Sequence, residues 1–243
     1  MRVQMFARRN AQEILRDPLN LAFGLGFPLA LLLLLSAIQS NIPVALFEIQ
    51  NLAPGIAVFG LSFMTLFSAT LIAKDRSSAF LQRLYTTPML ASDFILGYTL
   101  PVLPLSIAQS AACYLAAVFL GLDMSINLAC GVLFMIPVAI LYIALGLLCG
   151  SVLNDKQVGG ICGALLTNLS AWLSGTWFNL ELAGESFRKI AYVLPFVHAV
   201  ELERAILAGD FAKLFPHLWW VLGYGIVLLG LAVLVFLRQM QNQ

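Results

Sequence analysis

Few side chains in this sequence could perform covalent chemistry. Ser174 and His198 supply a hydroxyl and an imidazole, the minimum pair for a nucleophile and its base, and they raise the alternative of an intramembrane serine protease. The serine lies in "WLSG", which has no leading glycine, and the histidine lies in a predicted loop helix outside the apolar stretches. A serine and a histidine this close in sequence are easily coincidental, so the pair argues only weakly for a protease.

Metal and nucleotide chemistry also lack their usual residues. His198 and His217 are too few and too isolated for a metal site, and the four cysteines lie in apolar runs with no Cys-x-x-Cys spacing. A P-loop holds ATP phosphates with a lysine that directly follows a glycine, and no lysine of this chain follows a glycine. We therefore predict no catalytic residue, no metal and no cofactor in this chain.

The composition is that of an integral membrane protein. Of 243 residues, 61% are hydrophobic and 10% are charged, whereas soluble domains have about 45–50% apolar and roughly 25% charged residues. A soluble fold of this chain would lack the polar residues to cover its surface. The net charge of +1, without a basic stripe, gives no indication of nucleic acid binding.

Six apolar stretches are long enough to cross a bilayer, which takes about 20 residues. We predict an all-α integral membrane protein with a single transmembrane domain over residues 1–243. The predicted spans are Pro18–Gln39, Leu52–Ala73, Phe94–Leu122, Leu128–Leu153, Val158–Phe178 and Leu218–Leu237.

The basic residues predict the orientation of these spans. With the N-terminus inside, nine of the 13 lysine and arginine residues fall in inner segments. The other four fall in one outer loop: Arg188, Lys189, Arg204 and Lys213. Because cytoplasmic loops are enriched in lysine and arginine, both termini are predicted to be cytoplasmic.

Residues 1–17 have the pattern of an amphipathic helix. Apolar residues recur at helical spacing: Val3, Phe6, Ala7, Ala11, Ile14 and Leu15. Basic residues such as Arg9 and Arg16 take the other face, and Asp17-Pro18 supplies an N-cap and a first-turn proline that start a new helix. The pattern favours a helix in the plane of the lipid headgroups. A plain basic flank of the first span is the alternative.

The predicted cytoplasmic loop 74–93 carries an unusual amount of charge for this chain. Phe80 and Leu84 lie four residues apart on one face of a short helix, with Leu81 and Tyr85 beside them. The helix should end at Thr86-Thr87-Pro88, because the residue before a proline avoids the helical region. The polar border of this apolar face consists of Arg76, Gln82 and Arg83. Such a face favours insertion into a groove of another protein; the membrane surface is the alternative.

The predicted extracellular loop 179–215 contains two short helices, one in "ESFRKIAYVL" and one that begins near Pro195 and ends at Gly209. His198, Glu201 and Arg204 fall on one side of the second helix. They indicate a polar exit gate. The alternative is that Glu201 and Arg204 pair with each other and fix the helices in place.

Polarity within the spans comes from neutral side chains. If a transport path exists, the second and fifth spans are predicted to line it with Ser62, Thr65, Asn168 and Ser174. Hydroxyls in spans also often bond to their own helix, which is the structural alternative. Gly146…Gly150 and Gly159…Gly163 are GxxxG pairs that permit close helix packing.

Three segments together resemble the permeases of ABC-2 type ABC transporters, of both drug-export and polysaccharide-export type. "KDRSSAFLQRLYTTPMLASDFILG" resembles the first cytoplasmic loop of that family, and "ILRDPLNL" resembles its N-terminal elbow. "LPFVHAVELERAILAGDF" resembles its extracellular motif before the last span. The segments occur in the order and spacing of the family, so the resemblance extends over the whole chain.

The resemblance implies a function and a set of partners. Such permeases form dimers, as two copies or as two paralogues, and bind two ATPase subunits that carry ATP and Mg²⁺. The 74–93 loop would be the coupling helix that docks into the ATPase through Arg76, Phe80, Leu81, Arg83, Leu84 and Tyr85. Residues 1–17, with Phe6, Arg9 and Arg16, would be the elbow helix, and the two outer helices would be re-entrant. The expected location is the bacterial inner membrane.

An ion-coupled secondary transporter is the main alternative function. Such transporters normally keep an ionisable residue deep in a span as the coupling group. No predicted span has one in its middle, which favours the ATP-driven exporter. The cargo, whether drug, lipid, peptide or glycan, is not specified by the sequence.

Overall fold

The computed structural model describes residues 2–43, 47–78, 80–85 and 89–241, and within them it is helical without strands. A 3-10 turn, Leu180–Ala183, precedes α8. The helices are α1 (Arg2–Leu15), α2 (Pro18–Gln39), α3 (Ile49–Ser77), α4 (Phe80–Tyr85), α5 (Ala91–Phe119), α6 (Ile126–Val152), α7 (residues 155–173), α8 (Glu185–Val193), α9 (Pro195–Leu207) and α10 (Phe211–Gln241).

Five of the described helices are long and apolar enough to cross a membrane: α2, α3, α5, α6 and α10. The predicted span Val158–Phe178 corresponds to α7, which ends at Leu173 and contains the π-helical segment Gly159–Leu166. Asp155, Lys156 and Asn168 lower its hydropathy, so it is not among the five. Its role as a sixth span stays a prediction.

Helix α3 lies at the centre of the bundle. In its most apolar stretch 89% of the residues are buried, compared with 17% in α2 and 22% in α10. It packs against α6 and α5 along its length and also contacts α2, α7 and α9. The outer surfaces of α2 and α10 expose leucine, phenylalanine and tryptophan side chains, as expected for helices that face lipid or another subunit.

Helices α3 and α6 pack with their backbones in close approach. A Cβ atom at Gly146 would lie 2.5 Å from the Thr65 carbonyl oxygen, and one at Gly150 would lie 2.6 Å from the Ala69 carbonyl oxygen. This GxxxG pair therefore brings two helix backbones together, as predicted. Gly159 is different, because a Cβ there would have no described atom within 4 Å.

Helix ends follow the local sequence signals. The Asp17 side chain accepts a hydrogen bond from the Asn20 N–H, 3.2 Å away, and Pro18 occupies the first turn of α2. Helix α9 begins at Pro195, and Gly209 follows its end with φ +71°. The predicted start of α2 and the predicted start and end of α9 are confirmed.

Several helices run between the same two ends of the bundle. At one end, which we call the Asp75 end, Arg76 of α3 donates to the carbonyls of Gly150 and Leu153, and Gln239 of α10 donates to that of Ser151. At the other, the cavity end, residues at the starts of α3 and α10 line an open cavity. Helix α7 begins after Leu153, and Thr176 beyond it bonds the Gly55 carbonyl near the start of α3. It thus extends from the Asp75 end to the cavity end.

Candidate functional site

A buried carboxylate joins three helices at the Asp75 end. Asp75 of α3 is 2% exposed, and its Oδ2 atom accepts hydrogen bonds from Arg9 Nη1 (2.6 Å) and from the Tyr98 hydroxyl (2.8 Å). Arg9 also donates to Asn10, which in turn donates to the Gly97 carbonyl at 3.0 Å. We call Arg9, Asn10, Asp75 and Tyr98 the Asp75 cluster. It connects α1 and α5 to the end of α3.

Aromatic rings extend this connection to the short helix α4. The Phe6 ring lies 4.9 Å from the Tyr98 ring, edge to face, and 6.4 Å from the Phe80 ring of α4. The Arg9 guanidinium lies 4.5 Å from the centre of the Phe80 ring, within cation–π range. One face of α1 therefore contacts α3, α4 and α5 together.

Burial differs among the predicted docking residues. Arg83 is exposed and Phe80 and Leu84 are half-buried, but Leu81 is only 1% exposed. The sequence placed Leu81 on an exposed apolar face; this was wrong, because α4 packs that side chain into the bundle. Arg76 was expected to face a partner, and it instead donates to the Gly150 and Leu153 carbonyls.

Two further parts of that prediction lie outside the described residues: the side chains of Gln82 and Tyr85, and the Thr86-Thr87-Pro88 segment. Helix α4 ends at Tyr85, directly before that segment. Among the predicted elbow residues, Phe6 and Arg9 lie at the Asp75 cluster, whereas Arg16 is exposed.

The side chains predicted to line a pathway are mostly buried within the subunit. The Ser62 hydroxyl donates to the Phe59 carbonyl, and Thr65 donates to the Tyr142 carbonyl of α6. Ser174 is buried and bonds Thr176. Asn168 is exposed and donates to the Ala164 carbonyl of its own helix. Helix packing accounts for the three buried hydroxyls, and a lining role stays a prediction.

The cavity end contains an open cavity of about 610 Å³. Its lining carries both signs of charge, arranged as the ion pairs Arg188–Glu181 (3.9 Å), Arg204–Glu201 (2.8 Å) and Lys213–Asp210 (3.0 Å).

Arg204 fixes several elements at this cavity. Besides its ion pair with Glu201, it donates to the carbonyls of Asn51 and Gly175, at 3.3 and 3.0 Å. The pairing offered as the alternative to a gate is therefore present. It holds α9 against the start of α3 and the segment after α7.

The two histidines are in direct contact, although the sequence indicated isolated residues. His198 Nδ1 lies 2.8 Å from His217 Nδ1, and His198 Nε2 lies 2.9 Å from the Tyr192 carbonyl oxygen. A carbonyl only accepts, so His198 carries its proton on Nε2 and His217 donates through Nδ1. Burial lowers the pKa of His198, with the Tyr192 carbonyl opposing that effect. Neither nitrogen of His198 is available to activate Ser174.

Sequence reasoning missed two buried acids. Asp75 was read as loop charge, and Glu203 was passed over in favour of Glu201, although it lies on the apolar face of α9 with Val200 and Ile206 at helical spacing. Asn10 gave a comparable signal in α1, because it stands between Phe6 and Ile14 on the face that becomes buried. A polar residue at an apolar position of a helix was the available signal in both helices.

Comparison with known families agrees with this architecture. The sequence matches the family model for ABC-2 type transporters over residues 1–208. The chain belongs to the ABC-2 type transporter family. This ABC-2 type permease is therefore a membrane-embedded, multi-pass transport protein and not itself a catalyst. Members of the family generally act with an ABC ATPase. No curated protein matched the sequence.

Proposed function

We propose that this ABC-2 type permease is the membrane subunit of an ATP-driven exporter in the bacterial inner membrane. It acts as a dimer, with an identical or paralogous second permease, and with separate ATPase subunits that carry ATP and Mg²⁺. The Asp75 end and both termini face the cytoplasm, and the cavity end faces outward. The cargo is a drug, lipid, peptide or glycan that leaves the cytoplasm or the inner leaflet.

The connection through the Asp75 cluster carries this proposal. Helix α4 is the coupling helix and α1 the elbow helix, and they touch each other through Phe6, Arg9 and Phe80. Arg9 bonds directly to Asp75, at the end of the central helix α3. A displacement of α4 by the ATPase is thus transmitted to α3 through packed rings and charged hydrogen bonds. Because α3 contacts most of the bundle, its displacement changes the packing of the whole subunit.

The direction of α7 supports a six-span topology. It starts at the Asp75 end and is followed at the cavity end by Gly175 and Thr176, which contact Arg204 and Gly55. It therefore extends along α3 from the Asp75 end to the cavity end. A sixth crossing places the N-terminus and the end of α10 on one side, in agreement with the distribution of basic residues. Helices α8 and α9 then lie between the fifth and sixth crossings as re-entrant helices.

The outer cavity is the proposed exit for cargo. Glu201 and Arg204 line it, and His217, which bonds His198, lines it too. The ion pairs would then shape the wall of this exit.

The alternative functions have less support. An ion-coupled secondary transporter does not account for the family match. A serine protease requires a bond between Ser174 and His198, and in the described part of the chain these residues bond Thr176, His217 and Tyr192 instead.

Docking of the ATPase tests the coupling helix. Leu84→Ala should weaken pull-down of the cognate ATPase by about three- to tenfold, since full burial of a leucine contributes about 1.5–3 kcal/mol and Leu84 is already half-buried in the subunit. Arg83→Ala should weaken it less, and its effect should shrink as salt concentration rises. Phe80→Ala with Leu84→Ala should abolish most binding and export.

Leu81→Ala is the matched control, because Leu81 is buried within the subunit. It should lower the stability of the permease by about 2–5 kcal/mol without specifically weakening docking. Normal ATPase retention and export by the Phe80→Ala, Leu84→Ala variant would show that α4 is not the coupling helix. ATP turnover by the homogeneous permease alone would contradict the separate-ATPase proposal.

A further inference from the structure

Glu203 of α9 is a buried acid with an incomplete set of hydrogen bonds. It is 0% exposed, and its Oε2 atom accepts a 2.7 Å hydrogen bond from the Tyr114 hydroxyl of α5. Its Oε1 atom has no hydrogen-bond partner in the described part of the chain. A Cβ atom at Gly131 of α6 would lie 3.3 Å from Oε2, so the glycine leaves space for the carboxyl group.

Among the described residues, no cation pairs with Glu203 to compensate a negative charge at this position. Arg204, the next residue, bonds Glu201, Asn51 and Gly175 on the cavity side. From α5 the Tyr114 hydroxyl reaches Glu203, and the Cys113 thiol lies near Tyr114. Helix α6 has no charged residue.

The other packed helices also use their charges elsewhere. On α10, Lys213 pairs with Asp210 and His217 contacts His198, both beside the cavity, while Arg238 is in the last turn of the helix. On α8, which also contacts α9, Arg188 pairs with Glu181 and Lys189 with Glu185. The charged residues of α3, Lys74, Asp75 and Arg76, lie at the opposite end of the bundle. Within the described ranges, Glu203 therefore has one neutral donor and no cationic partner.

The neutral acid satisfies this environment better than the carboxylate. A buried carboxylate with one donor loses most of its hydration without compensation, whereas a neutral acid leaves only one O–H unpaired. Burial accordingly raises the pKa of Glu203 to about 8, with the Tyr114 bond opposing that effect. With neither oxygen exposed, a proton is the smallest ligand that can occupy the site.

We propose that Glu203 is a proton-binding site that holds α9 against α5 and α6. In the resting subunit the proton is on Oε1, and Tyr114 donates to Oε2. Loss of the proton leaves a buried charge and loosens the contact of α9 with α5 and α6. The opposite face of α9 carries Glu201, Arg204, Ala205 and Ala208, which line the outer cavity. The protonation state of Glu203 thus sets the position of one cavity wall. This inference does not depend on the exporter assignment.

Infrared spectroscopy of the full purified chain in lipid nanodiscs tests the site directly. At pH 7 the wild-type chain should show a protonated carboxyl band that titrates with a midpoint near 8. Glu203→Gln should remove that band, and Glu201→Gln, at an ion-paired acid of the same helix, should leave it in place. A wild-type spectrum without a protonated carboxyl at pH 7, or a band that survives in Glu203→Gln, would overturn the proposal.

Thermal unfolding gives a second readout with a defined sign. The folded state binds the Glu203 proton more tightly than the unfolded state. The stabilisation of the folded state by this proton is therefore complete below about pH 4.5 and is lost as pH rises to about 8. The Tm of Glu203→Gln relative to wild type should therefore increase across this range and level off above it. A Tm difference between Glu203→Gln and wild type that does not change with pH would contradict the proton-binding site.

If Glu203→Gln does not fold, the carboxyl titration of Tyr114→Phe provides an independent test. The Tyr114 hydroxyl stabilises the charged form, so its removal should shift the carboxyl midpoint to higher pH. An unchanged or lower midpoint would overturn the proposal.

Discussion

The two buried acids of this permease have opposite surroundings. Asp75 receives one bond from a guanidinium and one from a hydroxyl on the same oxygen, whereas Glu203 receives a single bond from a hydroxyl. Asp75 therefore has a compensated charge, and its pairing draws α1 and α5 to the end of α3. Glu203 has no cationic partner among the described residues, so in our proposal a bound proton removes its negative charge.

Removal of the Arg9 side chain should destabilise the permease. In Arg9→Ala, Asp75 keeps only its Tyr98 bond, so the free energy of unfolding should fall by about 1.5–3 kcal/mol. The loss should be smaller than for a fully buried pair, because the Arg9 side chain is 38% exposed. Chemical denaturation in detergent measures it.

Arg8→Ala is the control for this prediction, since Arg8 is the exposed neighbour on the same helix. It should change stability by less than about 0.5 kcal/mol. If Arg9→Ala and Arg8→Ala lower the free energy of unfolding equally, the contact of Arg9 with Asp75 contributes nothing specific to stability.

At the scale of helices, the same motif has different consequences in different places. Gly146 and Gly150 meet the backbone of α3, while Gly159 lies in a π-helical segment with open space beside it. The sequence pattern is identical, so it indicates only that close packing is permitted. The neighbouring helix decides whether it occurs.

Alanine substitutions separate these glycines. Gly146→Ala places a methyl group against the Thr65 carbonyl and should lower the unfolding free energy by about 1–3 kcal/mol. Gly159→Ala should be neutral or slightly stabilising, since alanine favours helix and no described atom of the subunit is displaced. The Tm values of the purified variants give the comparison. A loss in Gly159→Ala equal to that in Gly146→Ala would contradict this assignment; a loss seen only in the assembled complex would locate Gly159 at a subunit interface.

At the scale of the whole molecule, the bundle has an Asp75 end, with Arg9, Arg76 and α4, and a cavity end with three ion pairs. The proposed topology assigns the first to the cytoplasm. Cysteines at Ser78 and Ser186, both exposed in the structure, report on the two ends.

In a background without the four native cysteines, Ser186→Cys should react with membrane-impermeant maleimide in intact cells. Ser78→Cys should react only after the cells are opened. The parent without added cysteine is the blank. Labelling of Ser78→Cys from outside would reverse the proposed orientation and remove the basis for the exporter.

The sequence alone determined the features that depend on local chemistry. Its apolar content required a membrane protein, the Asp17-Pro18 and Pro195 signals set helix starts, and the ordered motifs identified the ABC-2 type family, which the family match confirmed. These inferences succeed because hydropathy, caps and prolines act within a few residues of their position.

Only the tertiary structure decided which polar groups meet. Arg9 and Asp75 are 66 positions apart, Tyr114 and Glu203 are 89 apart, and Arg76 reaches carbonyls 74 and 77 positions away. The sequence treated Arg76 and Leu81 as exposed because a short charged helix between two spans has no local signal for what it packs against. In a low-dielectric interior each polar group must find its partner across helices, and helix packing alone determines which partner is within reach.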